Sequence, residues 1–190
     1  MGLWGWLKGS SARTNGKVET WRREWSNAVA HPDAASLESL RAGLHTDPPF
    51  ADDIEIEEEM LEGLERLLAL THDLAEGRLP HLDTTHRIVG ADACHFSAPV
   101  SMPEDPAQPT GRLLLTGTRA VFAGGARPTV LAWHATAEVV QAERDVLLVR
   151  ADRSAMYRFR CNNYGDALTG AALARHLAAR ARGSARSRTL

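Results

Sequence analysis

Apolar positions recur along this chain in two rhythms, and the change between them divides it. From Val18 through Trp21, Trp25 and Val29 the step is three or four residues, which predicts a helix over 17–30, ended by His31-Pro32. Asp33 is placed to cap a second helix reaching about Leu44, with Leu37, Leu40 and Leu44 on one side, before Asp47-Pro48-Pro49 breaks the chain. Met60, Leu61, Leu64, Leu67, Leu68 and Leu74 predict a third helix over about 53–78. Its opening turns hold Glu55, Glu57, Glu58 and Glu59, where negative charge suits the positive end of the helix dipole. Gly77 and Pro80 mark its end.

After Asp92 the apolar runs shorten and turn residues interrupt them at intervals of roughly ten, the spacing of antiparallel strands. The pattern predicts strands near 93–100, 112–116, 120–123, 129–133, 137–141, 146–150 and 156–161, with plain turns at Gly124-Gly125 and Ala151-Asp152-Arg153-Ser154. In the last strand Tyr157, Phe159 and Cys161 alternate with Met156, Arg158 and Arg160, which sends the aromatics to a core and the arginines to water. Leu113, Leu115, Phe122, Trp133, Tyr157 and Phe159 are expected to share that core. A closing helix is predicted from Tyr164 or Asp166 to about Arg180, with Leu168, Ala171, Ala172 and Leu173 facing inward. The fold class is therefore α+β: N-terminal helices, then an antiparallel β-domain capped by a C-terminal helix. Its expected segments are a flexible tip over 1–16, a helical region over 17–80, the β-domain over 90–180 and a disordered basic tail over 181–190.

Composition adds limits. A chain of 190 residues has room for one ordinary domain and a substantial extension. The net charge of −2 hides an uneven distribution: 31–79 holds thirteen acidic residues against three Arg, and 150–190 holds nine Arg against two Asp. Two cysteines make no disulfide framework, nothing resembles a secretory signal, and no run approaches the ~20 apolar residues that span a bilayer. The expected location is cytoplasmic, with the inner membrane face as a peripheral alternative. Twenty Arg against two Lys, with abundant Ala, is the composition of a GC-rich bacterial genome.

Seven short strands followed by one helix is the element order of a pleckstrin-homology-like (PH-like) half-barrel. The segment Gly111-Arg-Leu-Leu-Leu-Thr-Gly-Thr-Arg-Ala-Val-Phe122 resembles the second-and-third-strand hairpin of GRAM and bacterial PH-like domains. Cys94-His-Phe-Ser-Ala-Pro-Val100 is similar to the strand leading into it. The resemblance spans about 90–180. Many members of that superfamily hold phosphoinositides with basic residues on the first two strands and their loop. Here the loop, Ser101 to Thr110, carries Glu104 and Asp105 and no Lys or Arg, with Arg112 alone nearby. An acidic rim repels phosphate, so that lipid site is not expected, and function does not follow from fold.

Candidate chemistry is thin. His81, His86, Cys94 and His95 are of zinc-binding type, but H-x4-H-x7-C-H is not a familiar zinc spacing, and adjacent strand residues face opposite ways. Cys94 beside His95 or His86 lacks the electropositive, oriented setting of a reactive thiol; both cysteines are expected to fill the core. There is no phosphate loop, nucleophile elbow or dinucleotide fingerprint. The acidic run 52–59 reads as a solvated helix start, and the terminal arginines lack the interleaved aromatics of a nucleic-acid platform. No catalytic residue, cofactor or metal is therefore assigned, and no nucleic acid is expected. The expected function is a non-enzymatic adaptor holding a protein partner. The alternative is weak peripheral binding to an anionic membrane surface, using Trp4 and Trp6 for apolar contact and Arg180, Arg182, Arg186 and Arg188 for charge.

Overall fold

The computed structural model describes the backbone over 4–46, 54–84, 88–124 and 127–187, and side chains over 16–45, 54–84, 88–124 and 127–183. The chain forms two compact units, Met1–Ala69 and Leu70–Leu190.

The first unit is helical: α1 (Trp4–Ala30), α2 (Ala34–Thr46) and most of α3 (Glu55–Ala75). Asp33 caps α2 as its position predicts; its carboxylate accepts the Ser36 N–H at 2.8 Å and the Ser36 hydroxyl at 2.6 Å. The apolar stripes pack on each other, burying Trp21, Trp25, Leu37, Leu40, Leu44, Met60, Leu61, Leu64 and Leu67. Each indole N–H pins a neighbouring backbone: Trp21 Nε1 donates to Leu40 O at 3.0 Å and Trp25 Nε1 to Met60 O at 2.8 Å. Glu57 is buried from the acidic run, and Arg22 holds it through Nε at 2.9 Å. The run is thus not wholly solvated.

Two helix ends differ from expectation. Helix α1 begins at Trp4 and not at Lys17, and the closing helix continues to Ser187 instead of stopping near Arg180. Extending an existing helix adds one hydrogen bond per residue fixed, so a formed helix grows through weak formers such as Gly9, Ser10 and Gly16 that would not nucleate one. The third helix ends as predicted: Gly77 takes φ +76°, Gly77 N–H donates to Leu74 O and Arg78 N–H to Asp73 O, a glycine C-cap.

The second unit is an open antiparallel sheet of seven strands with one long helix. The strands are β1 (Cys94–Ser101), β2 (Thr110–Thr116), β3 (Arg119–Gly124), β4 (Thr129–Ala132), β5 (Thr136–Ala142), β6 (Asp145–Arg150) and β7 (Met156–Cys161), followed by α4 (Tyr164–Ser187). All seven lie where the alternating pattern predicts, except that Trp133 leaves β4 to begin a 3-10 turn, Trp133–Ala135. The spatial order is β4-β3-β2-β1-β7-β6-β5. Two meanders of consecutive hairpins therefore meet at β1 and β7, through Val100↔Cys161 and Ser101↔Arg160.

The inner face packs on α4. Leu113, Leu115, Phe122, Trp133 and Phe159 are buried in one cluster as expected, and Tyr157 lies partly buried against it. Ala167, Ala171, Ala174 and Ala178 from α4, with Leu173 and Leu177, complete that core. Asn163 caps the helix, its side-chain oxygen accepting the Asp166 N–H at 2.7 Å. Small residues let α4 approach closely: a Cβ on Gly170 would meet the Phe96 ring at 3.0 Å.

Candidate functional site

The outer face of the sheet differs between its halves. Over β1–β3 the chain covers itself. A register shift between Cys94 and Phe96 turns Cys94 outward, where it clusters with Leu114, Val121 and Val89, while Phe96 stays in the main core. The segment before β1 supplies Val89 and Ile88 and bridges to the sheet at Leu82↔Cys94. A polar lock holds this cover. Asp92 accepts the hydroxyls of Thr116 at 2.7 Å and Thr118 at 2.5 Å. Burial alone would raise the Asp92 pKa; the hydroxyls of Thr118 and Thr116 and the charge of Arg119 outweigh it and hold the carboxyl below its ordinary value. The Thr-Gly-Thr-Arg residues of the hairpin motif thus serve a structural lock.

Over β5–β7 no such cover is present among the described residues. The registers Glu138↔Val149, Val140↔Leu147, Val149↔Met156 and Leu147↔Arg158 put Val140, Leu147, Val149 and Met156 in one apolar group on the outer face. The first three are half-buried and Met156 is 55% exposed. Glu138 and Arg158 stand at opposite corners of that group.

Beside it lies a charged network that corrects one expectation. Arg158 and Arg160 do point away from the core, but they are bound to protein and not simply to water. Both hold the buried carboxylate of Asp145, Arg158 through Nε at 2.7 Å and Arg160 through Nε at 2.9 Å. Burial would raise the Asp145 pKa; hydrogen bonds from Arg160 and Arg158, with their charges, hold it below the ordinary carboxylate value. Arg158 Nη1 also donates to Glu104 at 2.8 Å, tying the β1–β2 loop to β7. Asp105 closes that loop on itself, its side chain accepting the Ala107 N–H at 2.9 Å. The acidic residues of the loop are therefore committed to internal contacts.

The remaining candidates are dispersed. His81 is exposed near Asp83, His95 Nδ1 meets Pro80 O at 2.6 Å, and Cys94 donates its thiol to Phe96 O at 3.2 Å; His86 lies outside the described residues. Among the described residues no three metal-binding side chains converge. Burial raises the Cys94 thiol pKa and, with Asp166 and Asp145 nearby, pushes Cys161 up to about 12, so neither is a thiolate near neutral pH. Trp4 and Trp6 belong to α1 of the first unit, with side chains outside the description. Arg180 is exposed on α4, whereas Arg182 Nη1 donates to Thr136 O at 3.1 Å. The Arg186 side chain and all of Arg188 fall outside the described residues. No helix among the described residues is long and apolar enough to cross a membrane.

No family model matches the chain, and no curated protein matches it. Among solved structures it is similar to the C-terminal domain of an unknown protein from Leishmania infantum, at 16% identity and a TM-score of 0.37, over 62% of this chain and 97% of that one.

Proposed function

We propose that the protein is a non-catalytic interaction module whose second unit, a PH/GRAM-like half-barrel, holds a protein partner on its outer face. The observation that carries this reading is the contrast between the two halves of that face. The chain covers Cys94, Leu114 and Val121 with its own residues and leaves Val140, Leu147, Val149 and Met156 half-buried or exposed. An apolar group rimmed by charge is the composition of a protein-binding patch. The β1–β2 loop supports a departure from lipid-headgroup binding: its Glu104 pairs with Arg158, a cation beside the loop that could otherwise meet a phosphate.

Peripheral membrane association is the second reading. It draws support from α1 starting at Trp4, since a helix is the form in which short aromatic segments lie in a membrane interface. Affinity purification from the native host separates the two. Under the adaptor reading a protein is retained by the wild type and lost with Leu147→Asp or Met156→Asp, and sedimentation with anionic vesicles shows no binding at any salt. Salt-sensitive vesicle binding that falls when Trp4 and Trp6 become Ala, with no protein retained, overturns it.

A further inference from the structure

The free edge of β4 carries an inference independent of the partner surface above. The phase of its backbone follows from two observations. Trp133 N–H donates to Thr118 O at 3.1 Å, and the register runs Arg119↔Ala132, Ala120↔Leu131, Val121↔Val130, Phe122↔Thr129. Hydrogen-bonded and non-hydrogen-bonded pairs alternate along an antiparallel ladder. Thr129, Leu131 and Trp133 therefore turn their N–H and C=O toward β3, while Val130 and Ala132 turn theirs to the open edge.

That outward row has a particular composition. The Ala132 carbonyl already accepts the Thr136 hydroxyl at 3.2 Å. Pro128, in phase with Val130, has a carbonyl and no N–H. The groups available for pairing are the N–H and C=O of Val130, the N–H of Ala132 and the C=O of Pro128.

We infer that the β4 edges of two copies of this chain pair antiparallel across a two-fold axis at Val130. The axis sets Val130 opposite Val130 of the second copy, which makes two N–H···O=C bonds. It also sets Ala132 opposite Pro128 of the second copy on both sides, so each Ala132 N–H finds a Pro128 carbonyl. The proline cannot donate, and the acceptor its N–H would have served is the one Thr136 already fills. A foreign strand of ordinary sequence would bring an N–H against that occupied carbonyl and leave it unpaired, which favours the chain's own strand as the occupant. The side chains agree: Val130 is 51% exposed, and Thr129-Val-Leu-Ala132 contains none of the charged residues that guard edge strands. A β-branched pair facing itself across the axis is a favourable cross-strand contact. A five-residue ladder covers far less than the ~800 Å² per partner of a stable interface, so the dimer is reversible.

Sedimentation equilibrium on the full chain tests this, from about 10 µM to about 1 mM, the range in which weak association shows. The mass should climb from 20.7 kDa toward twice that value. Val130→Pro removes an N–H that faces away from β3, so the variant should keep its thermal unfolding midpoint and stay monomeric throughout. Val130→Lys and Val130→Glu place like charges across the axis; each should be monomeric alone, and the two should associate when mixed. The inference is overturned if the wild type stays monomeric at the highest concentration. It is equally overturned if the wild type dimerises and the Lys and Glu variants dimerise alone to the same extent.

Discussion

β4 and β5 follow each other in the chain, separated by a 3-10 turn, yet they stand at opposite ends of the strand order. Each presents an unpaired row of backbone groups, and the two rows are treated differently. On β5, α4 reaches back with Arg175 Nε to Val139 O at 3.1 Å and with Arg182 Nη1 to Thr136 O. Guanidinium groups there occupy carbonyls that an incoming strand would need. On β4, among the described residues, Thr136 takes the Ala132 carbonyl and no other outward group of the edge is bonded. Covering an exposed edge is a general protection against unwanted strand pairing. Arginines from a basic C-terminal segment thus have internal work at the sheet edge, which a tally of charge does not reveal.

The largest effect is expected at the joint between the two edges. Trp133 is fully buried, and its Nε1 donates to Thr116 O at 2.8 Å. Trp133→Ala should cost about 3–5 kcal/mol in urea unfolding, and Phe159→Ala in the same core a similar amount. A loss under 1 kcal/mol for either would contradict the shared core. Next comes Asp145, which anchors the start of β6 beside Ala142 of β5. Asp145→Asn should cost about 2 kcal/mol at neutral pH, the scale of hydrogen bonds to a charged group. Its folded pKa lies below the ordinary value, so its contribution is present above the unfolded pKa and fades as pH falls through the folded one. The wild type should lose stability in acid more steeply than Asp145→Asn; parallel pH profiles would rule out this role.

Smaller effects are expected at the two edges themselves. Arg175→Ala with Arg182→Ala should lower stability by about 1 kcal/mol for each bond lost. The pair should also open β5, giving association that persists in a Val130→Pro background. Light scattering that shows a monomer there would deny the arginines a guarding role. Thr136→Val should cost about 1 kcal/mol or less. It frees the Ala132 carbonyl, which faces away from β3, so the Trp133 amide, bonded to Thr118 O, should stay as protected from hydrogen exchange as before.

The strands were legible because their core residues alternate: Phe159 and Cys161, or Leu113 and Leu115, announce a buried face by period alone. The helix stripes in the first unit were legible for the same reason. What escaped were groups whose partners are distant in sequence. Asp145 opens a strand after a turn and reads as a turn residue until Arg158 and Arg160 are placed beside it. Cys94 is buried as expected, but the shift before Phe96 that places it in a second core cluster has no signal in a sequence of ordinary strand formers. Leu114 and Val121 break strict alternation, and that irregularity was a readable sign that both sheet faces are covered there. The apolar group on the outer face was the least legible, because Val140, Leu147 and Val149 look like any buried valine or leucine until the register assigns their face.

The meeting of the two meanders has a consequence in time. Every other strand pair closes a hairpin between consecutive strands, whereas Val100 and Cys161 are 61 residues apart. Local hairpins close early and distant contacts wait on the entropy of the long loop, so the β1–β7 seam should join late in folding and limit its rate. The chain carries its own clock for that event. Cys161 lies at the seam and Cys94 away from it, both buried as free thiols. A thiol reagent added during refolding should find Cys161 reactive until the seam shuts, with Cys94 already silent.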